Sequence, residues 1–251
     1  MAHIQRRQEI LDLLKIKKQL SPKTLCERLH VSTATLRRDL VLLEQEGLIK
    51  RFHGVVSIIG VSNVEPSYQQ RALEQRLEKN HICDIAADFI ADGQSLFLDS
   101  STTVNQICPY LSQKNNLVVI TNGLQTALTL NQMENITVFL VGGEMKAHSA
   151  STVGALATDF VLPFRIDLAL FSCRGLDEGG IYEASHHQAH FKKHMITLAK
   201  QNILLCDDSK FKQPHFYKLA QYEDFKAIIT NKEPDEQYKQ LLKNAGGELL
   251  W

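Results

Sequence analysis

The sequence predicts an α/β protein in two parts, a small basic head of short helices closed by a hairpin and a larger acidic body on a mostly parallel sheet. Three observations carry that prediction. Charge divides the chain: residues 1–57 hold 11 Lys and Arg against 6 Asp and Glu, so a total of 28 against 28 conceals a head of +5 and a body of −5. Two amphipathic segments with hydroxyl caps stand about three residues apart within that head. Beyond residue 76, short apolar runs alternate with helical patterns, the rhythm of a sheet covered on both faces.

Composition excludes the extreme classes. Among 251 residues, 44% are hydrophobic and 22% charged, with 13 Gly and 6 Pro, which argues for packed cores and against low-complexity chain. Cys26, Cys83, Cys108, Cys173 and Cys206 are odd in number, widely spaced and without a CxxC pair, so a disulfide framework is not expected and a reducing compartment is. The longest apolar runs, LVVI and TVFLV, are too short to span a bilayer. These features predict a cytoplasmic location and no membrane partner.

In the head, Ile4, Ile10, Leu11 and Leu14 recur at helical spacing over residues 4–16. Ser21-Pro22 is an N-cap followed by a first-turn proline, opening a helix whose Leu25 and Leu29 share a face until His30-Val31 breaks it. Ser32 caps a third helix with Leu36, Leu40 and Leu43 as its apolar stripe and Gly47 as its stop. Two capped helices across such a turn have the proportions of a helix-turn-helix. At 100° per residue from Leu36, Arg38 lies opposite the stripe, with Thr35 and Ala34 beside it and Thr33 and Arg37 flanking it. Small hydroxyls and guanidinium groups near a helix start are what a major groove admits. After Gly47, LIKRFHGVVSI alternates around Gly54 as a hairpin wing, with Lys50, Arg51 and His53 near its tip. Ser32, Thr33, Thr35, Arg37, Arg38, Lys50, Arg51 and His53 are therefore the expected contacts to double-stranded operator DNA. The alternative is an ordinary solvated helix face in which Arg37, Arg38 and Asp39 make only surface pairs.

Residues 58–75 change character, with Gly60, Ser62, Asn63 and Pro66 before a charged run, and read as a linker between a domain at 1–57 and another at 76–251. In the body, strands are expected at 96–98, 117–120, 137–141, 168–171, 203–206 and 227–229, with helices near 80–91, after Thr102 and near 185–200. In open parallel sheets ligands bind beyond the carboxyl ends of strands, so the residues following each strand matter most. They are Asp99-Ser100-Ser101-Thr102-Thr103, Thr121-Asn122-Gly123, Gly142-Gly143-Glu144, Ser172-Cys173-Arg174-Gly175 and Asp207-Asp208-Ser209-Lys210-Phe211. Hydroxyls and backbone N–H groups in the SSTT run suit a phosphate or carboxylate, and Arg174 and Lys210 supply positive charge. Asp99, Asn122, Glu144 and Asp207 can bond sugar hydroxyls. The mixture suits a small phosphorylated polyol. The alternative is that these loops hold only caps and turn residues.

TATLRRDLVLLEQEGLIKRFHG (33–54) resembles the winged helix-turn-helix signature of the DeoR-type bacterial transcriptional regulators, with HGVV where that family usually has HGGA. DSSTT, TNG, GGE, FSCRGLD and DDSKF are similar to motifs of the same regulators' sensor domain. The resemblance implies a Rossmann-like body similar in fold to ribose-5-phosphate isomerase, a phosphorylated sugar or related metabolite as effector, and regulation, mostly repression, of a carbohydrate operon. Ser101 replaces the Gly of the usual DxGTT loop, and with FSCRGLD this resembles the L-fucose operon regulator branch, which includes activators. Lys192 matches the Lys of the family's sensor helix, while His187 and Gln188 stand where an acid is expected.

The reading that follows is a regulator, a homo-oligomer on operator DNA, with no cofactor and no catalytic residues. An isomerase-like enzyme using Lys210, Asp207 and Glu144 to move a proton is the alternative for the body, although such an enzyme has no use for a recognition helix. A third alternative is a DNA-binding scaffold whose body serves only oligomerisation. His186, His190 and His194, at i, i+4 and i+8, raise transition-metal binding as a lesser alternative.

Overall fold

The computed structural model describes residues 2–17, 19–46, 48–52, 54–58, 67–147 and 149–251. The chain divides into two compact units, 1–65 and 66–251. The expected Gly47 stop and the wing residue His53 lie outside the described residues.

The first unit runs α1 (Ala2–Lys17), β1 (Gln19–Leu20), α2 (Pro22–Leu29), α3 (Thr33–Gln45), β2 (Ile49–Phe52) and β3 (Val55–Ile58). Local chemistry fixes the boundaries. Ser21 Oγ accepts from the Thr24 amide at 3.0 Å and Pro22 fills the first turn, where a missing N–H costs nothing. His30 ends α2 in the left-handed region at φ 50°, and Ser32 Oγ accepts from the Thr35 amide at 3.2 Å to open α3. Ile10, Leu14, Leu25, Leu36, Leu40, Leu43, Ile49 and Val56 close one core between helices and hairpin, each large side chain contributing about 1.5–3 kcal/mol. β2 and β3 pair antiparallel from Ile49↔Ile58 to Phe52↔Val55, and Gly54, at φ 79°, takes a backbone conformation that other residues resist. β1 adds a third strand through Gln19↔Ser57, in a stretch that reads only as polar connection.

The second unit begins with α4 (Tyr68–Leu73) and α5 (Arg76–Ala87), so the rear of the segment read as linker is helical and packs within the body. There follow β4 (Ser95–Leu98), α6 (Thr102–Asn105), α7 (Cys108–Leu111), β5 (Leu117–Thr121), α8 (Leu124–Leu130), β6 (Ile136–Leu140), β7 (Glu144–Lys146), β8 (Ser151–Val153) and α9 (Ala155–Val161). Next come β9 (Ile166–Phe171), β10 (Gly175–Asp177), β11 (Gly180–Glu183), α10 (His186–Leu198) and β12 (Ala199–Leu205). The unit closes with β13 (Tyr217–Ala220), β14 (Ala227–Ile229), α11 (Glu236–Asn244) and β15 (Glu248–Leu250). The main sheet has the order β15-β14-β12-β9-β4-β5-β6 and is parallel throughout.

Alternation along the strands feeds two cores. Leu96, Leu98, Leu168, Leu170, Ile203 and Leu205 face α5–α8, whereas Phe97, Ala169, Phe171 and Leu204 face α9–α11. The strand order reverses between β4 and β9, and the loops after those strands flank the switch point where such sheets bind ligands. Among the described residues, no helix is long and apolar enough to cross a membrane.

Candidate nucleic-acid interface and effector site

On α3, Thr33, Arg37 and Arg38 are exposed, and Leu36, Leu40 and Leu43 are buried beneath them. Ser32 and Thr35 are partly spent on the cap, their hydroxyls 2.9 Å apart. Asp39, the third member of the expected surface cluster, is instead buried. It accepts from Arg6 Nε at 2.5 Å and Nη2 at 3.2 Å, locking α1 to α3 and raising the Arg6 pKa. This corrects the surface-pair alternative for Asp39. Arg7 pairs with Glu46 at 2.7 Å. On the wing, Arg51 is bound by Glu44, its Nη2 2.5 Å from Oε2 and its amide 3.0 Å from Oε1, and that hydrogen bonding holds the Glu44 carboxyl below its usual range. Lys50 is exposed on β2. The head thus neutralises Arg6, Arg7 and Arg51 internally, while Arg37 and Arg38 have no carboxylate partner among the described residues.

In the body the switch point is organised by Asp99, which is fully buried. Its Oδ1 accepts from the Ser101 amide at 2.8 Å and its Oδ2 from the Ser172 amide at 2.9 Å, joining the loops after β4 and β9. Lys192, on α10, reaches the same carboxylate at 2.8 Å, Glu183 Oε1 at 2.5 Å and the Ser172 carbonyl at 2.7 Å. Burial opposes its charge, but Asp99 and Glu183 outweigh that and hold its pKa above the lysine range. An ammonium has three protons, and these three acceptors occupy them. Lys192 is therefore a buried strut joining α10 to the loops after β4 and β9 and to β11. The acid that meets Lys192 is Glu183 on β11, which sequence reasoning did not single out because no local spacing connects it to α10.

Ser101 caps α6 by accepting from the Val104 amide at 3.1 Å. That helix is only four residues long, so the helical end expected to favour an anion is slight. Thr102 and Thr103 are buried, the Thr102 hydroxyl turned to α4 and the Thr103 carbonyl accepting from Cys83. Ser100 is buried beneath Gly123, where a Cβ would stand 2.9 Å from the Ser100 Cα, so only glycine lets these loops meet.

Positive charge gathers after β9 and β12. Lys210 Nζ lies 4.0 Å from Asp207 Oδ2. Burial first, then Arg174, lowers the Lys210 pKa despite Asp207. Burial, Arg174 and Lys210 push His215 down to about 4, and burial followed by Lys210 brings Lys79 to about 8. Lys210 thus opposes the charged forms of His215 and Lys79, and Arg174 those of His215 and Lys210. His215 and Lys79 were not among the expected residues.

Among the described residues, several acceptors of the body are buried without a hydrogen-bond partner. They include Asp207 Oδ2, Asn122 Oδ1, Gln188 Oε1 and Glu74 Oε1. Asn122 donates to the Thr152 carbonyl at 3.0 Å, and Gln188 reaches Ser151, itself 2.7 Å from Ser149. Unpaired buried acceptors are costly unless something donates to them, and sugar hydroxyls are suitable donors. Gly142, Gly143 and Glu144 are exposed where the chain enters the β7–β8 hairpin, so they stand apart from the buried network.

Among the described residues no group of three or more His, Cys, Asp or Glu is placed to hold a metal, and the His186 ring packs edge-on against Tyr217 at 5.0 Å.

Comparison with known proteins gives a consistent result. The DeoR-like helix-turn-helix domain matches residues 6–60 and the DeoR C terminal sensor domain matches residues 74–232. The HTH-type transcriptional repressor GlcR of Bacillus subtilis is 34% identical over 96% of this chain and 93% of its own length. The glycerol-3-phosphate regulon repressor of Escherichia coli is 30% identical, covering 96% of each chain. These relatives are repressors and lend no support to the fucose-regulator branch. A D-ribose-5-phosphate isomerase in complex with phospho-erythronic acid aligns with a TM-score of 0.40 and 17% identity, covering 53% of this chain and 52% of that one. With both characteristic domains in order along a chain whose elements they describe, this protein belongs to the DeoR family of transcriptional regulators.

Proposed function

We propose that the protein is a repressor of a carbohydrate-utilisation operon, binding operator DNA as a homo-oligomer and released by a phosphorylated sugar. One observation carries the DNA half: Arg37 and Arg38 are exposed and have no carboxylate partner among the described residues, while Arg6, Arg7 and Arg51 are bound within the head. α3 then lies in the major groove with Thr33, Arg37 and Arg38 toward base edges and phosphates, and Lys50 on the wing meets backbone. Arg51 is assigned a lesser part, since a phosphate must compete with Glu44. Dimeric readers of two half-sites present two such helices, which favours an oligomer.

In the body, Arg174, Lys210 and His215 take the phosphate, and Asn122, Asp207 and Gln188 take hydroxyls. Asp99, Ser100, Ser101, Thr102, Thr103, Lys192 and Glu183 hold the loops in place. Regulation requires that the effector bind the operator-competent and incompetent arrangements with different affinity. The test is a gel shift of the full chain on the upstream DNA of candidate sugar operons, titrated with a sugar-phosphate panel. One member should dissociate the complex, and Lys210→Met should abolish the response while leaving DNA binding intact. A complex indifferent to every sugar phosphate would refute the effector assignment.

A further inference from the structure

The main sheet has two edges, and only one of them is guarded by charge. At β15, Glu248 pairs with Lys226 at 3.2 Å, and Lys239 Nζ stands 5.2 Å from the centre of the Trp251 ring. At the other edge, β6 reads Ile136-Thr137-Val138-Phe139-Leu140, with no charge, no Pro and an unbroken parallel ladder to β5. Among the described residues no strand lies on its outer side. The outward row of N–H and C=O groups on such a strand is a template for another strand.

Apolar side chains continue from this edge onto α9. Phe139 packs edge-on against Phe164 at 5.2 Å between ring centres, and Phe160 stacks on Phe164 at 5.6 Å, so strand and helix share one aromatic surface. Leu156, one turn before Phe160 on the same helical face, is 74% exposed. Phe139, Leu140, Met145, Phe160 and Leu162 are exposed as well. Together the six offer roughly 600 Å² of apolar surface per copy, a large share of the about 800 Å² that each partner gives to a standard interface. The charged residues within 155–165 are Asp159 and Arg165, one of each sign, both exposed and neither in an ion pair among the described residues. A surface that is apolar and carries one acid and one base complements a copy of itself, whereas a strongly acidic or basic partner finds no match there.

We propose that β6 and α9 form a two-fold interface with a second copy of this chain, the two β6 strands pairing antiparallel so that one sheet runs through both bodies. A two-fold axis normal to the sheet has this effect and leaves both copies of α9 on the same side, where Leu156 and Phe160 meet their counterparts. Pairing satisfies the open backbone row and takes the aromatic surface out of water in one step. The interface rests on the homo-oligomer proposed above and assigns it a surface.

Sedimentation velocity of the full chain at micromolar concentration is the test, with Leu156→Glu and Thr137→Lys as variants. Both positions are exposed, so the fold tolerates the change. The unaltered protein should sediment as a dimer or an even-numbered multiple of one. Each residue enters a two-fold interface twice, so Leu156→Glu should raise the dissociation constant of this contact on the order of 100-fold. Thr137→Lys supplies the missing edge charge and should act in the same direction. Leu77→Glu, at an 80% exposed leucine of α5 outside the patch, should leave the mass unchanged. Unchanged mass in both Leu156→Glu and Thr137→Lys, or equal dissociation by Leu77→Glu, would overturn this surface and leave the homo-oligomer standing. An unaltered protein that is monomeric throughout would assign the face to another occupant and remove interface and homo-oligomer together, with the effector assignment untouched.

Discussion

Arg38 and Lys50 carry the same charge, but in the proposed complex with DNA their elements read different things. Arg38 projects from α3 opposite its buried stripe, where a bidentate contact to guanine is worth about 1–3 kcal/mol of discrimination. Arg38→Ala should weaken binding to a duplex selected by the protein by that amount and leave random duplex nearly unaffected. Equal losses on both would displace Arg38 from the groove. Lys50→Ala should weaken both alike and reduce the salt slope by about one. His215 yields a pH prediction. Its pKa of about 4 lies below the ordinary 6.5, so between those values the unfolded chain takes up a proton that the folded chain refuses. Stability should therefore fall as pH drops from 6.5 to 4. In urea melts across this range, His215→Asn should lose less than the unaltered protein, and parallel curves would count against a buried neutral imidazole.

At the scale of elements, what the sequence reveals depends on how far apart the cooperating residues lie. Ser21-Pro22 and Ser32 announce their helices because a cap bonds three residues ahead. The central strands are legible because unbroken apolar runs suit strands buried on both faces. β1 is not, having only two residues and a partner in β3, nor is α4, whose register against Thr102 appears only after folding. The loops after β4, β5, β9 and β12 could be read as candidate site, but Glu183 could not, since it meets Asp99 across 84 residues of chain through Lys192. Arg51 likewise reads as a free wing cation until Glu44 is found beneath it. The pairing of α1 with α3 gives another test. Asp39→Ala leaves Arg6 without its bidentate partner and should cost the head roughly 1.5–3 kcal/mol, measured by thermal unfolding. Ser32→Ala should cost about 1 kcal/mol by the loss of one cap. Reversed magnitudes would mean that the Arg6 contact contributes little.

For the whole molecule, separate cores in the two units mean that ligand stabilisation should be confined to the unit that binds. Calorimetric scans with an effector at about 100 times its Kd should show the body stabilised by roughly 2.7 kcal/mol and the head unmoved. A matching shift in both would show that they unfold as one. The wiring of the sheet has another consequence, concerning the order in which parts mature during translation. The head's elements are complete by residue 58, whereas β4 at 95–98 must wait for β9 at 166–171 before its second neighbour exists. Ribosomes emit the chain from its N-terminus, so the head can close early while the sheet's middle stays open for some seventy codons more. On the proposed reading, each newly made copy thus completes the unit that meets DNA before the unit that meets the effector.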